Sequence, residues 1–402
     1  MPVTGRSFGL AMLFLVSTWA LVAHADAPYI DPADDEANFG TPGEDLFWTT
    51  AQKVAGFRNQ EKLAWTRTIE AGGTAYPLPV KKIDLSSFQF DYEDSVITLE
   101  EYIRRQNVAG LLIIKDGNIV YERYELGNTA ESRWLSWSVA KSVTSLLVGA
   151  AIKDGYIESV DEKVSDYLPR LKNSSYDDVT IRHLMQMASG VEWNEDYADP
   201  EADINTIEWD TLSVYEQLRD KPRAADPGTL FHYNTAEINL VGTLLRSAIG
   251  NNLSTYLTEK IWRPFGMESI AFWELSEPGG GEHGGSNISA TLRDYGRIGL
   301  FAMNNGKLPD GTQVLPDGWI AESTTPSPSV EYYGYLWWLR GEGAFAASGI
   351  FGQGIHIDPA HNLVIAQHGA LEVASQRSDW APRLAFFRAI AIELDRRTRS
   401  DQ

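Results

Sequence analysis

The stretch from Trp137 to Ile152 constrains this chain more than any other. Val139, Val143, Leu147 and Ala151 recur every four residues, the spacing of one helix face. Leu146, Val148 and Ile152 make most of the remaining surface apolar as well, so the helix is expected to be buried rather than merely amphipathic. Lys141 stands in its first turn, where a charge is costly unless something uses it. Residues three apart share a helix face, which sets Lys141 beside Ser138. The stretch also carries the only Ser-x-x-Lys in the chain. A helix start points unpaired N–H groups outward. An amine next to a hydroxyl there can make a serine nucleophilic. The bland alternative is a lysine that snorkels to solvent over apolar neighbours.

The chain begins with one positive charge, Arg6, then runs apolar from Phe8 to Val22 and reaches Ala23-His24-Ala25. That pattern predicts a secretory signal peptide over residues 1–25. The apolar run is short for a membrane span. The expected location is therefore periplasmic or secreted, with no membrane contact after cleavage. There is no cysteine, which excludes disulfides and thiolate chemistry. No His-Glu-x-x-His motif is present, so nothing points to zinc. The formal charge of −21 becomes more negative once Arg6 leaves, which argues against nucleic acid and anionic membranes as partners. Hydrophobic content of 43% with 13 Trp is ample for a packed core.

Residues 26–97 read as an N-terminal extension. It starts with an extended acidic arm to Gly40 and holds a helix around Ala51 to Gln60. A helix is expected from Thr98 to Arg105. Ala109–Ile114 and Asn118–Tyr124 flank Lys115-Asp116-Gly117, a hairpin signal. From about 156 to 297 the pattern is mostly short helices and loops, with a flexible loop at Gly279–Gly281 and Gly284-Gly285. Strands return at Tyr335–Leu339, Gly354–Ile357 and Asn362–Ala366, and a helix over Trp380–Arg397 closes the chain. Strands near both chain ends predict an α/β fold, an antiparallel sheet flanked by helices with an inserted, mostly helical region. The main domain is expected over 98–402.

Further downstream, Pro227-Gly228-Thr229-Leu230-Phe231-His232-Tyr233 leads into a helix start. A tyrosine near a lysine can lose its proton more readily, because the ammonium favours phenolate. It could then pass protons between nucleophile and leaving group. Alone, the segment reads more readily as a buried core tyrosine with a satisfied hydroxyl. Gly349-Ile350-Phe351-Gly352-Gln353 lies near the C-terminus. In this order, Ser138-x-x-Lys141, the Tyr233 segment and the Gly-x-x-Gly-Gln segment resemble the serine β-lactamase superfamily. The likeness is to the branch of class C β-lactamases, DD-peptidases and esterases. Met187–Gly190 and Ser289–Asp294 fit that family too. Gly190–Pro200 resembles the 6-aminohexanoate-dimer hydrolase subgroup.

The resemblance implies a β-lactamase-like fold and a serine hydrolase needing no cofactor. Ser138 is the expected nucleophile, and Lys141 and Tyr233 the proton carriers. Backbone N–H groups of Ser138 and Ile350 would form the oxyanion hole. Trp193, Tyr197 and Gly349 are candidate substrate-binding residues. Two departures bear on the substrate. The family's Tyr-x-Asn is here Tyr233-Asn234-Thr235, and the cation of its Lys-Thr-Gly is replaced in Ala347-Ser348-Gly349. Losing a charge-assisted contact to a carboxylate favours an ester or an uncharged amide. The alternatives are a β-lactamase or DD-peptidase type enzyme that meets penicillin, and a non-catalytic exported binding protein that keeps the fold. The sequence leaves the oligomeric state open.

Overall fold

The computed structural model describes residues 27–400, with side chains described as far as Arg397. The signal peptide expected over residues 1–25 lies outside the described residues. Among the described residues no helix is long and apolar enough to cross a membrane.

Strand β1 (Thr66–Ile69) precedes the short hairpin β2 (Gln89–Tyr92) and β3 (Ser95–Thr98). The long hairpin β4 (Val108–Lys115) and β5 (Asn118–Tyr124) follows, then β6 (Arg133–Leu135). Far along the chain come β7 (Ala271–Glu274) and β8 (Ile288–Thr291). The last four strands are β9 (Trp338–Gly341), β10 (Ala344–Ser348), β11 (Gly354–Asp358) and β12 (Leu363–Gly369). The main sheet runs β5-β4-β12-β11-β10-β9 and is antiparallel throughout. It is built from both ends of the chain, as the pattern predicts. Asp116 (φ 49°) and Gly117 (φ 74°) make the left-handed two-residue turn that Asp-Gly favours.

Every residue of β4 is buried, which explains its unbroken apolar sequence. Leu111 and Ile113 pack with Phe386, Phe387 and Ile390 of the closing helix Arg377–Ser400. Leu112 and Ile114 face the other way, into a core shared with Val143 and Leu147 of the helix Val139–Lys153. Each such side chain, fully buried, contributes about 1.5–3 kcal/mol.

Four expectations need correction. The acidic arm is not extended. Pro32–Asn38 is a 3-10 helix, and its Asp35 is buried against Arg58. Arg58 Nε and Nη2 donate to Asp35 Oδ2 and Oδ1 at 2.7 and 2.6 Å, and the guanidinium also donates to the carbonyls of Leu126 and Ile30. Composition shows the acid but not its distant partner. Second, the helical region also supplies β7 and β8, which with β1 and β6 form a separate four-stranded sheet. These strands are short, so they leave little period-two signal. Third, Tyr335–Trp337 is not strand. Leu336 has φ 62°, and its carbonyl accepts from Ser142 Oγ at 2.6 Å, an anchor on the buried helix. Fourth, Gly284 and Gly285 are buried and fixed. A Cβ at Gly284 would meet Ile238 O at 2.6 Å, and one at Gly285 would meet Thr235 O at 2.8 Å. The glycines let this segment lie against the helix Thr235–Ile249.

Candidate active site

Ser138 stands at the start of the helix Val139–Lys153. Trp137 before it has φ 49°, a left-handed conformation that costs a non-glycine residue on the order of 1 kcal/mol or more. Packing holds it there. Its ring meets Phe57 edge-on at 5.8 Å and Phe351 at 5.2 Å. The bend brings Ser138 onto the helix start with its backbone N–H unspent.

Lys141 is 1% exposed, so it does not snorkel. Its amine donates to Ser138 Oγ at 2.9 Å, Thr235 Oγ1 at 3.0 Å and Gly285 O at 2.7 Å. Burial pulls the amine down from its usual 10.5 to about 7, while the Glu195 carboxylate works in the opposite direction. A group poised near neutrality can take a proton and return it.

Tyr233 lies at the same point, with Lys141 Nζ 5.0 Å from its ring centroid. The phenolate expected from the sequence is not favoured. Burial pushes the phenol well above its usual range, the nearby Ser138 hydroxyl lowers it only in part, and Glu195 raises it further. Tyr233 thus stays protonated and suits the role of a donor. Asn234 caps the following helix, its side chain accepting from Glu237 N at 3.0 Å. The contact to the lysine comes instead from Thr235, two residues after the tyrosine.

Sequence reasoning missed Glu195. It accepts from Thr235 Oγ1, from Thr235 N at 3.1 Å, from the Trp193 indole and from Tyr197 OH at 2.9 Å. It therefore sits at a helix N-terminus, where negative charge is stabilised, one hydroxyl away from Lys141. The acidic, aromatic character of Glu192–Pro200 was the available signal, but it pointed to the aromatics. Trp193 does not line either of the cavities described below. It is 4% exposed, part of the core behind Glu195, because its indole N–H is spent on that carboxylate. Tyr197 does line them.

The other half of the site comes from the end of β10. Gly349 allows close approach, since a Cβ there would meet Ser136 O at 2.6 Å. The turn after it is held by Gln353, whose Oε1 accepts from Phe351 N and whose Nε2 donates to Gly369 O, both at 3.1 Å. Among the described residues neither Ser138 N nor Ile350 N donates to a protein acceptor. Ala347 is 1% exposed and belongs to the core, so position 347 offers no cation. Arg340, however, donates from Nη2 to the adjacent Ser348 Oγ at 3.3 Å.

Two cavities meet here, sharing Tyr197 and Ile350 as walls. The larger, about 1080 Å³, is lined by Glu195, Tyr233, Trp338, Arg340, Ser348 and Gly349 among others. The smaller, about 230 Å³, holds Ser138 and Thr235. Asp45, Trp48 and Gln60 of the N-terminal extension also line it. The extension thus builds part of the site rather than trailing from it.

The family model for beta-lactamase matches residues 98–376. The chain is 27% identical over 296 residues to the 6-aminohexanoate-dimer hydrolase of Paenarthrobacter ureafaciens, covering 67% of this chain and 74% of that one. Among solved structures, it is similar to a protein from Bacillus anthracis provisionally named 6-aminohexanoate-dimer hydrolase. That match has TM-score 0.77 and 22% identity over 86% of this chain and 95% of the other. A class C beta-lactamase from Rhodobacter sphaeroides matches with TM-score 0.54 and 16% identity, covering 73% and 97%. These structures share the fold, an α/β arrangement of antiparallel sheets and flanking helices. The chain belongs to the beta-lactamase family, a group of serine hydrolases with amidase and esterase members.

Proposed function

We propose that this protein is an exported serine hydrolase, periplasmic or secreted, that cleaves small esters or amides through an acyl-enzyme. The observation that carries the reading is the buried Lys141 amine, 2.9 Å from Ser138 Oγ and lowered to about 7. The neutral amine accepts the Ser138 proton as Oγ attacks the substrate carbonyl. The N–H groups of Ser138 and Ile350 receive the developing oxyanion. Tyr233, kept protonated by its surroundings, gives its proton to the departing alcohol or amine and is reprotonated through Lys141. Water then repeats the sequence on the acyl-enzyme. Glu195 orients Thr235 and tunes Lys141 through it. The relatives named for 6-aminohexanoate-dimer hydrolysis support an amide among the substrates.

The test is labelling with a fluorophosphonate probe, alongside turnover of p-nitrophenyl esters and 6-aminohexanoate dimer. Wild type is expected to be labelled, and Ser138→Ala to lose labelling and at least ~10³-fold of turnover while staying folded. An unlabelled wild type would favour the binding-protein reading instead.

A further inference from the structure

The larger cavity carries a charge pattern that the hydrolysis mechanism does not use. Arg340 on β9 and Arg383 and Arg388 on the closing helix all line it. Arg388 Nη2 donates to the Arg340 carbonyl at 3.1 Å, which ties the two walls together. Arg340 Nε and Arg383 Nη1 are buried with no hydrogen-bond partner. Among the described residues no carboxylate lies within ion-pair distance of Arg340 or Arg388. Asp379 lies near Arg383 and offsets part of its charge, Glu331 is exposed at the rim, and Glu195 lines the Ser138 end of the cavity with its carboxylate occupied by Thr235, Trp193 and Tyr197. Burial and the two neighbouring arginines push the Arg340 guanidinium down to about 9. Arg383 is buried, Arg340 half-buried and Arg388 exposed, and guanidinium groups taken out of water are ordinarily paired. Like charges gathered around a cavity, short of acceptors, are the complement of an anion.

The cluster has a defined place relative to the reacting groups. Arg340 lies 5.5 Å from the Trp338 ring, and that ring stacks on Tyr233 at 5.8 Å. Its Nη2 bonds Ser348, two residues before Ile350. It therefore flanks the Tyr233 side of the site. In the mechanism above Tyr233 protonates the departing group, so that group occupies the larger cavity.

We propose that Arg340, supported by Arg383 and Arg388, forms an anion subsite that holds a carboxylate on the departing alcohol or amine. The proposal rests on the serine hydrolase reading. It revises the expectation drawn from Ala347: the cation missing from position 347 is supplied by the neighbouring edge strand and by the closing helix.

The test compares the butanoyl ester of 4-hydroxybenzoate with the butanoyl ester of methyl 4-hydroxybenzoate, which differ in the charge of the leaving group and by one methyl; the neutral phenol is the better leaving group, so a preference for the carboxylate has to come from the protein. Wild type is expected to prefer the carboxylate in kcat/KM by at least ~10-fold, and Arg340→Gln and Arg388→Gln to shrink that ratio. The preference is expected to fall at high salt. Binding of 4-hydroxybenzoate to Ser138→Ala, measured by calorimetry, reads the subsite without turnover and is expected to weaken when Arg340→Gln is added. No preference in wild type, or a preference that survives Arg340→Gln, overturns the subsite. Failure of wild type to cleave either ester, with 4-hydroxybenzoate still bound in an Arg340-dependent way, overturns the hydrolase reading and leaves the subsite standing.

Discussion

Replacing Lys141 by Met should stabilise the protein while destroying its activity. The amine titrates near 10.5 in the unfolded chain and about 7 in the folded one. Between those values the unfolded state binds the extra proton, so wild-type stability rises with pH across that window. Below pH 7 the full penalty of burying the ammonium is present, on the order of 5 kcal/mol. Methionine fills the same space without the charge. It also removes three hydrogen bonds, to Ser138, Thr235 and Gly285, worth roughly 1 kcal/mol each net. The balance at pH 6 is a gain of about 2 kcal/mol for the variant, shrinking towards zero or reversing by pH 10. Urea denaturation at both pH values, followed by circular dichroism, reads the difference, and ester turnover reads the lost base. A variant less stable than wild type at pH 6, or a gap that does not change with pH, would refute the account of Lys141 as a buried, depressed amine.

Glu195→Gln removes the charge that raises Lys141, so the acid limb of kcat/KM should move to lower pH; an unmoved limb separates Glu195 from the lysine. Phe57→Ala empties a site in full contact with Trp134, Trp137 and Phe351. It should cost about 3–5 kcal/mol in a denaturation midpoint and lower kcat, since Trp137 and Phe351 adjoin the Ser138 and Ile350 donors. A stable variant with full kcat would show that the extension is only attached to the site. Asp35→Ala leaves Arg58 buried and unpaired and should cost about 3–5 kcal/mol; a change under 1 kcal/mol would mean that solvent reaches the guanidinium.

Much was legible in the sequence because it was written in local patterns. The four-residue spacing from Val139 to Ala151 marks a buried helix, and Asp116-Gly117 marks the hairpin whose first strand, β4, lies inside the main sheet beside its edge strand β5. Ser138 and Lys141 are neighbours by helix geometry alone, so their pairing needed no tertiary information. Tertiary structure decided what depends on residues far apart in the chain. Thr235 takes the lysine's hydrogen bond only because Gly284 and Gly285 allow a close approach between two segments. Trp193 is core rather than lining because its indole meets Glu195. Tyr233 was expected to ionise beside a cation, but the cost of burying a phenolate outweighs that attraction, and burial is not visible in a string of letters. The sequence shows no cation at Ala347, but only the structure sets Arg340 of the next strand beside Ser348. Periodicity reports which face of an element is apolar; only packing sets which distant charges share a cavity, because Coulomb energy depends on separation and burial and not on position in the chain.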